Sequence, residues 1–253
     1  MIAPGLVSVT FKDRPCEDVI QYAHQAQLKS IEWHGQNHVP HGDLETARQV
    51  GQDTRAVGLT VAAYGSYYVL GQSEAAGLSF DRVLQTAEAL EAPKIRVWAG
   101  SKNPDETSRR DRAHIVQEAQ RVADQAAEKR IKVVFEFHRD SLTLTGASCV
   151  ALLEDVGHAN VATYWQPAPE LDVIQNLTAL RAVLPWLEGL HVFHWGPTHR
   201  DRHALAQGEL DWTQYLALAR QCPGPLPALL EFVEGGRVEQ FNEDAATLRR
   251  WLK

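Results

Sequence analysis

The feature that most constrains this chain is a regular beat of eight short apolar segments, most of them followed by a stretch with helical spacing. The segments are Leu6–Phe11, Ser30–His34, Leu59–Ser66, Lys94–Ala99, Lys132–His138, Val161–Gln166, Gly189–Trp195 and Ala228–Val233. Rich in Val, Ile, Leu and aromatics and about 5 to 8 residues long, they suit buried parallel strands. Helical stripes lie between them. Ile115, Ala119, Val122, Ala123 and Ala126 share one face of a helix predicted over Ser108–Lys129. Val83, Ala87 and Leu90 form another stripe, and Leu171, Ile174, Leu177, Leu180 and Leu184 a third. A last helix is expected over Asp244–Leu252. Strand–helix alternation implies right-handed crossovers and a parallel sheet. Eight units in 253 residues fit a single (β/α)8 TIM barrel filling residues 1–253.

Local punctuation agrees. Asp18, Asp43 and Ser79 stand where N-caps or first-turn acids are favourable, and Gly58 and Gly189 where a helix hands over to a strand. No G-x-G-x-x-G follows a strand, so a dinucleotide fold has no support. Lys+Arg 25 against Asp+Glu 32 leaves a net charge of −7, which argues against a dedicated nucleic-acid binder. Cys16, Cys149 and Cys222 are widely spaced and odd in number, which excludes a disulfide framework and a thiolate zinc knot. The opening MIAPGLVSVTFKDRP has no basic region leading into an apolar one, and no apolar run reaches membrane-spanning length. A cytoplasmic protein with no membrane partner is expected.

In such a barrel the chemistry sits at the C-terminal ends of the strands. Strand five ends in Glu136 and His138, strand six in Gln166, strand seven in His194 and strand eight in Glu231. Glu136 and Glu231 interrupt apolar runs, where an ionised carboxylate is costly unless paired or bound to a metal. Two carboxylates, an amide oxygen and an imidazole form a mixed donor set for one divalent metal, Mn, Mg, Co or Zn. His191 shares a face of its strand with Phe193 and is read as structural.

These residues resemble the xylose-isomerase-like TIM barrels, the sugar phosphate isomerase/epimerase branch in particular. Further segments that carry the resemblance are Ile31-Glu32-Trp33 with His38–Asp43, Tyr64–Tyr68 and Ile95–Gly100. The resemblance implies a metal held by Glu136, Gln166, His194 and Glu231, with both glutamates near the reacting carbons. One departure stands out: Gln166 and Pro169 occupy the places where the family usually has Asp and His. The change removes a negative charge and predicts weaker metal binding.

The expected function is isomerisation or epimerisation of a small carbohydrate by proton abstraction next to a carbonyl, through an enediolate. Glu136, Glu231 and His138 are the candidate catalytic residues. His38, Tyr64, Trp98, Arg202 and Glu32 are candidates for substrate contact, with Glu32 alternatively pairing with Arg96. Dehydration of a keto-polyol shares the first step and stays open. An apurinic-endonuclease-like phosphodiesterase keeps some support from Asp201-Arg202-His203, but Gln166, Pro169 and the net charge weigh against it. A sugar-binding barrel without catalysis is the third reading. Trp186, Trp212 and Trp251 either pack inside or serve a homo-oligomer interface.

Overall fold

A computed structural model describes residues 1–198 and 200–253. Eight parallel strands close in sequence order into one barrel, each strand bonded to the next and β8 to β1. The strands are β1 (Ile2–Val7), β2 (Ser30–His34), β3 (Thr60–Val69), β4 (Lys94–Trp98), β5 (Lys132–Glu136), β6 (Val161–Trp165), β7 (Leu187–Val192) and β8 (Leu226–Leu230). The helices are α1 (Cys16–Gln25), α2 (Leu44–Ala56), α3 (Phe80–Leu90), α4 (Arg109–Glu128), α5 (Gly146–Val156), α6 (Val173–Val183), α7 (Glu209–Ala219) and α8 (Val238–Trp251). The chain is therefore a single (β/α)8 barrel.

Two apolar layers hold it together. The larger lies between the strands and the helix ring and includes Leu6, Ile31, Trp33, Ile95, Val97, Val133, Phe135, Leu190 and Phe241. A smaller cluster of Val7, Val9, Ala62, Ala63, Val134, Ala162, Tyr164 and Leu229 packs apart from it, with Phe232 against its edge. Helix starts follow the sequence signals. Asp43 accepts from Thr46 N at 3.1 Å to cap α2, and Ser79 accepts from Arg82 N at 3.3 Å to cap α3. Asp18 instead lies in the first turn of α1, where its charge complements the helix dipole.

Several boundaries differ from the sequence reading. The first strand runs over Ile2–Val7, and Ser8–Phe11 coil into a 3-10 turn. Pro4 and Gly5 hide the strand from an apolar-pattern search, but pairing with Leu226–Leu230 and Ser30–Glu32 fixes it. The last helix begins earlier, at Val238. Gly189 follows no helix directly; it lies inside β7, where an added Cβ would come within 2.5 Å of the Tyr164 ring. Gly58 does follow α2 with a φ of +80°. Trp212 is fully buried, while Trp186 and Trp251 pack partly buried against the core. Among the described residues no helix is long and apolar enough to cross a membrane.

Candidate active site

Strand alternation sends Glu32 and Trp33 to opposite sides. Trp33 reaches outward to α2, where its Nε1 donates to Thr54 Oγ1 at 3.2 Å. Glu32 meets Arg96 of β4, whose Nε donates to Glu32 Oε1 at 2.5 Å. Arg96 Nη1 donates to Glu136 Oε2 of β5, and Trp98 Nε1 donates to the same oxygen. Gly65 of β3 makes room for this pair: a Cβ there would lie 2.8 Å from both Arg96 Nη2 and Glu32 Oε1.

His191 of β7 completes the cluster. Its Nε2 lies 3.3 Å from Glu32 Oε2, and its Nδ1 lies 3.1 Å from Gln166 Oε1. The same Nδ1 is 3.4 Å from Glu136 Oε1 and 3.6 Å from Glu231 Oε2. Glu32, Arg96, Glu136, His191 and Glu231 are all buried. Charges so far from water persist only because they compensate one another.

The two glutamates nearest each other titrate in opposite directions. Burial pushes both carboxyls up, but at Glu136 the Arg96 guanidinium, with His191, outweighs it and holds the group well below the usual carboxylate range. At Glu231 burial prevails over the attraction of His191, with Glu136 adding repulsion, and the carboxyl is pushed up to about 7. For His191 burial disfavours the charged ring, yet Glu231 and Glu32 reverse this and raise it to about 10. Glu32 is lowered, since Arg96 and His191 together exceed its burial cost.

Above the cluster opens a cavity of about 290 Å³ lined by Tyr67, Trp98, Glu136, His138, Gln166, Phe193, Trp195, Arg202, Glu231 and Phe232, among others. The size is near the lower end of small-molecule sites, which start at roughly 300 Å³. The His138 ring stacks on Trp98 with centroids 4.9 Å apart. The Arg202 guanidinium sits 4.2 Å over the Phe232 ring. Tyr67 and Phe232 have φ of +56° and +52°, a region that bulky residues rarely adopt. Such strain concentrates at functional sites. At Tyr67 it accompanies a bulge in the β3–β4 ladder between Gly65 and Tyr68.

The structure thus brings Glu136, Gln166, Glu231, His138, Trp98 and Arg202 to one cavity, with Glu32 buried beneath it as the partner of Arg96. His194 is placed elsewhere. Strand β7 ends at Val192, and the residues continuing the inward side after His191 are Phe193 and Trp195. His194 turns instead toward Gly208 and His203, with 5.7 Å between the two imidazole centroids. The imidazole among the carboxylates is His191, and the signal for it was the face it shares with Phe193. Arg96, already named as the alternative partner of Glu32, makes that pair and reaches Glu136 as well.

His38 and Tyr64 also lie apart from the cavity. His38 bonds Ser8 Oγ at 2.9 Å and the Arg14 carbonyl at 3.0 Å, which ties the β2–α2 loop to the β1 end. The Tyr64 hydroxyl donates to the Val39 carbonyl at 2.9 Å. Both are buried and serve loop structure.

Glu136, His191 and Glu231 each offer one candidate ligand atom, and these atoms lie within 4.8 Å of one another. With Gln166 Oε1 3.1 Å from His191 Nδ1, the set offers mixed oxygen and nitrogen donors of the kind that hold a divalent cation. Arg96 and Trp98 occupy Glu136 Oε2 and leave Oε1 toward the site, while Nε2 of His191 faces Glu32 and leaves Nδ1 toward Gln166, Glu136 and Glu231. Gln166 brings no charge, and Phe193 brings no donor.

Comparisons with known proteins agree with this architecture. A family model described as xylose isomerase-like TIM barrel matches residues 20–253. A 3-dehydroshikimate dehydratase from Bacillus anthracis is 24% identical over 190 residues. That alignment covers 69% of this chain and 64% of the relative, so the chain matches less than two thirds of the relative's length. The crystal structure of a probable 3-DHS dehydratase from Bacillus anthracis superposes with a TM-score of 0.82 at 17% identity, covering 98% of this chain and 99% of that one. A D-allulose 3-epimerase from Methylomonas sp. superposes with a TM-score of 0.75 at 18% identity, covering 98% and 97%.

Proposed function

We propose, from the premise that this chain belongs to the xylose isomerase-like TIM barrel family, that it is an isomerase or epimerase of a small sugar or sugar phosphate. The observation that carries this reading is the pair Glu136 and Glu231, two buried carboxyls at one cavity whose surroundings drive them apart. Separated titration of neighbouring groups is how a site assigns different roles to the same chemistry. Glu231, near 7, is suited to take a proton from the carbon beside a carbonyl at neutral pH and, for isomerisation, to return it to the adjacent carbon; epimerisation draws the returning proton from a second group on the opposite face. Glu136 stays an anion that anchors Arg96 and His191 beneath the substrate. His138, Arg202 and the Tyr67 hydroxyl line the same cavity and supply donors to the substrate's oxygens. Burial raises the Tyr67 hydroxyl, which keeps it protonated. A divalent metal would be held by Glu136, Gln166, His191 and Glu231 and would polarise the substrate's carbonyl and hydroxyl oxygens.

A second reading is dehydration of a cyclic hydroxy-ketone, which begins with the same proton abstraction. It is favoured by the aromatic walls of the cavity, Trp98, Phe193, Trp195 and Phe232, which suit a flat ring better than an open polyol. The dehydratase among the relatives points the same way. The test is incubation in deuterated water with ketoses, ketose phosphates, inosose and 3-dehydroshikimate, followed by NMR. Deuterium entering a sugar with change of configuration or carbonyl position supports the isomerase. Loss of water without that change supports the dehydratase. No exchange and no water loss with any of them sinks both.

A further inference from the structure

We infer that a second cavity beside the catalytic one receives an oxyanion, a carboxylate or a phosphate ester, carried by the substrate on a carbon remote from the reacting one. This subsite presupposes the proton-transfer reading, because the group it holds belongs to the same substrate. The cavity, about 560 Å³, opens at the same end of the barrel and shares Arg202 and Phe232 with the first. Its other polar lining includes Lys12 and Arg14 after β1, with His34, Gln36 and Asn37 at and just beyond the end of β2. Among the described residues that line it, Asp13 is the one acid against Lys12, Arg14 and Arg202. Two positive charges in surplus thus gather at one opening of a chain whose net charge is −7. A cleft lined by one sign of charge draws ligands of the other.

His34 adds a donor that the protein leaves unused. Its Nδ1 accepts from the backbone N–H groups of Gln36 and Asn37, both at 3.1 Å. A ring nitrogen that accepts carries no proton, so the proton sits on Nε2. His34 is only 5% exposed and lines this cavity, and among the described residues nothing accepts from that Nε2. A secluded N–H is costly until an acceptor meets it, and the cavity is where one can arrive. The ring also packs on Tyr67, with centroids 4.4 Å apart, and Tyr67 lines the catalytic cavity. His34 therefore stands where the two spaces meet. The contacts that fix His34 fix Arg14 as well. Ser8 Oγ accepts from the His34 N–H at 2.8 Å and bonds His38 Nδ1 at 2.9 Å, while His38 Nε2 bonds the Arg14 carbonyl at 3.0 Å. Phe232 N–H donates to Thr10 Oγ1 at 3.0 Å, and Arg202 lies over the Phe232 ring. The loops that carry the donors are thus tied together before a ligand arrives, which lowers the ordering cost of binding.

The test reads binding directly on the full chain, through the NMR signals of the His34 imidazole, assigned by correlation with its backbone. Inorganic phosphate and malonate are the probes, each added at fixed pH and at constant ionic strength against chloride. Saturable movement of the His34 signals is expected. Movement with phosphate alone assigns a phosphate ester, with malonate alone a carboxylate, and with both the shared oxyanion chemistry. Lys12→Met combined with Arg14→Met should weaken the binding by about tenfold or more, since charge-assisted hydrogen bonds are the strong ones. Both side chains are exposed, so the double variant keeps its core, and an unchanged melting temperature verifies this. His34 signals that both anions leave unmoved, or that move equally in the double variant, would overturn the inference. Deuterium exchange into a neutral ketose without anion binding at His34 sinks the subsite and keeps the proposed function. Anion binding without exchange into any ketose does the reverse.

Discussion

Glu136 Oε1 and Glu231 Oε2 approach a single nitrogen, Nδ1 of His191, at 3.4 and 3.6 Å. Glu136 carries the Arg96 guanidinium on its other oxygen. That one contact separates an anchored anion from a carboxyl that exchanges protons near neutrality.

Glu231→Gln keeps the shape of the side chain and removes its basicity. Positioned acid–base groups contribute about 10²- to 10⁴-fold. Deuterium exchange into an active substrate should fall by at least the lower figure, while the melting temperature at pH 7 holds or rises. Exchange at the wild-type rate would move the base to another residue.

The pH dependence has a definite sign. Below about 7 Glu231 holds its proton and cannot accept another, so kcat/KM should rise with pH up to that point. It should fall again near 10, where His191 loses its charge. Stability runs the opposite way. A carboxyl raised in the folded state stabilises fully below the ordinary value of 4.5, and that contribution is lost as pH rises to about 7. Melting curves of the wild type and Glu231→Gln at pH 4.5 and pH 7.5 should therefore show the variant gaining on the wild type as pH rises.

Gly65→Ala places a methyl group 2.8 Å from both partners of the Arg96–Glu32 pair. Overpacking of this kind costs about 1–3 kcal/mol. Chemical denaturation should show a loss in that range, with exchange activity reduced as well because Arg96 also anchors Glu136. A variant as stable and active as the wild type would show that the ion pair tolerates displacement.

Abasic duplex DNA should remain intact in the presence of the protein and Mn2+ on a denaturing gel. The net charge of −7 and the neutral Gln166 both disfavour a phosphodiester track. Nicking at the abasic site that Glu136→Gln abolishes would contradict the proton-transfer reading.

The barrel was legible because most of its strands carry short apolar runs at a regular spacing, a pattern that survives errors of a few residues at each end. Glu136 and Glu231 were legible for the same reason, as charges inside such runs. His194 and His191 were not separable this way. Both lie in one apolar segment buried on its two faces, and the end of β7 at Val192 is set by pairing with Ala228–Leu230. Sequence spacing carries no mark of that pairing. The pairing of Arg96 with Glu32 was legible as an alternative, but its reach to Glu136 of β5, 40 residues away along the chain, was not. Pro4 and Gly5 concealed β1, whose place is dictated by its neighbours on either side.

Closure of the barrel by β1 against β8 pairs Ile2–Leu6 with Leu226–Leu230. Glu231 follows directly, its N–H donating to the Val192 carbonyl at 3.0 Å, and Phe232 N–H donates to Thr10 Oγ1 at 3.0 Å. The proposed base is thus seated where β1 closes against β8. Contacts this distant in sequence form late. Until they form, two sheet edges stay open and Glu231 is not seated at the cavity, so incompletely folded chains expose edges prone to aggregation.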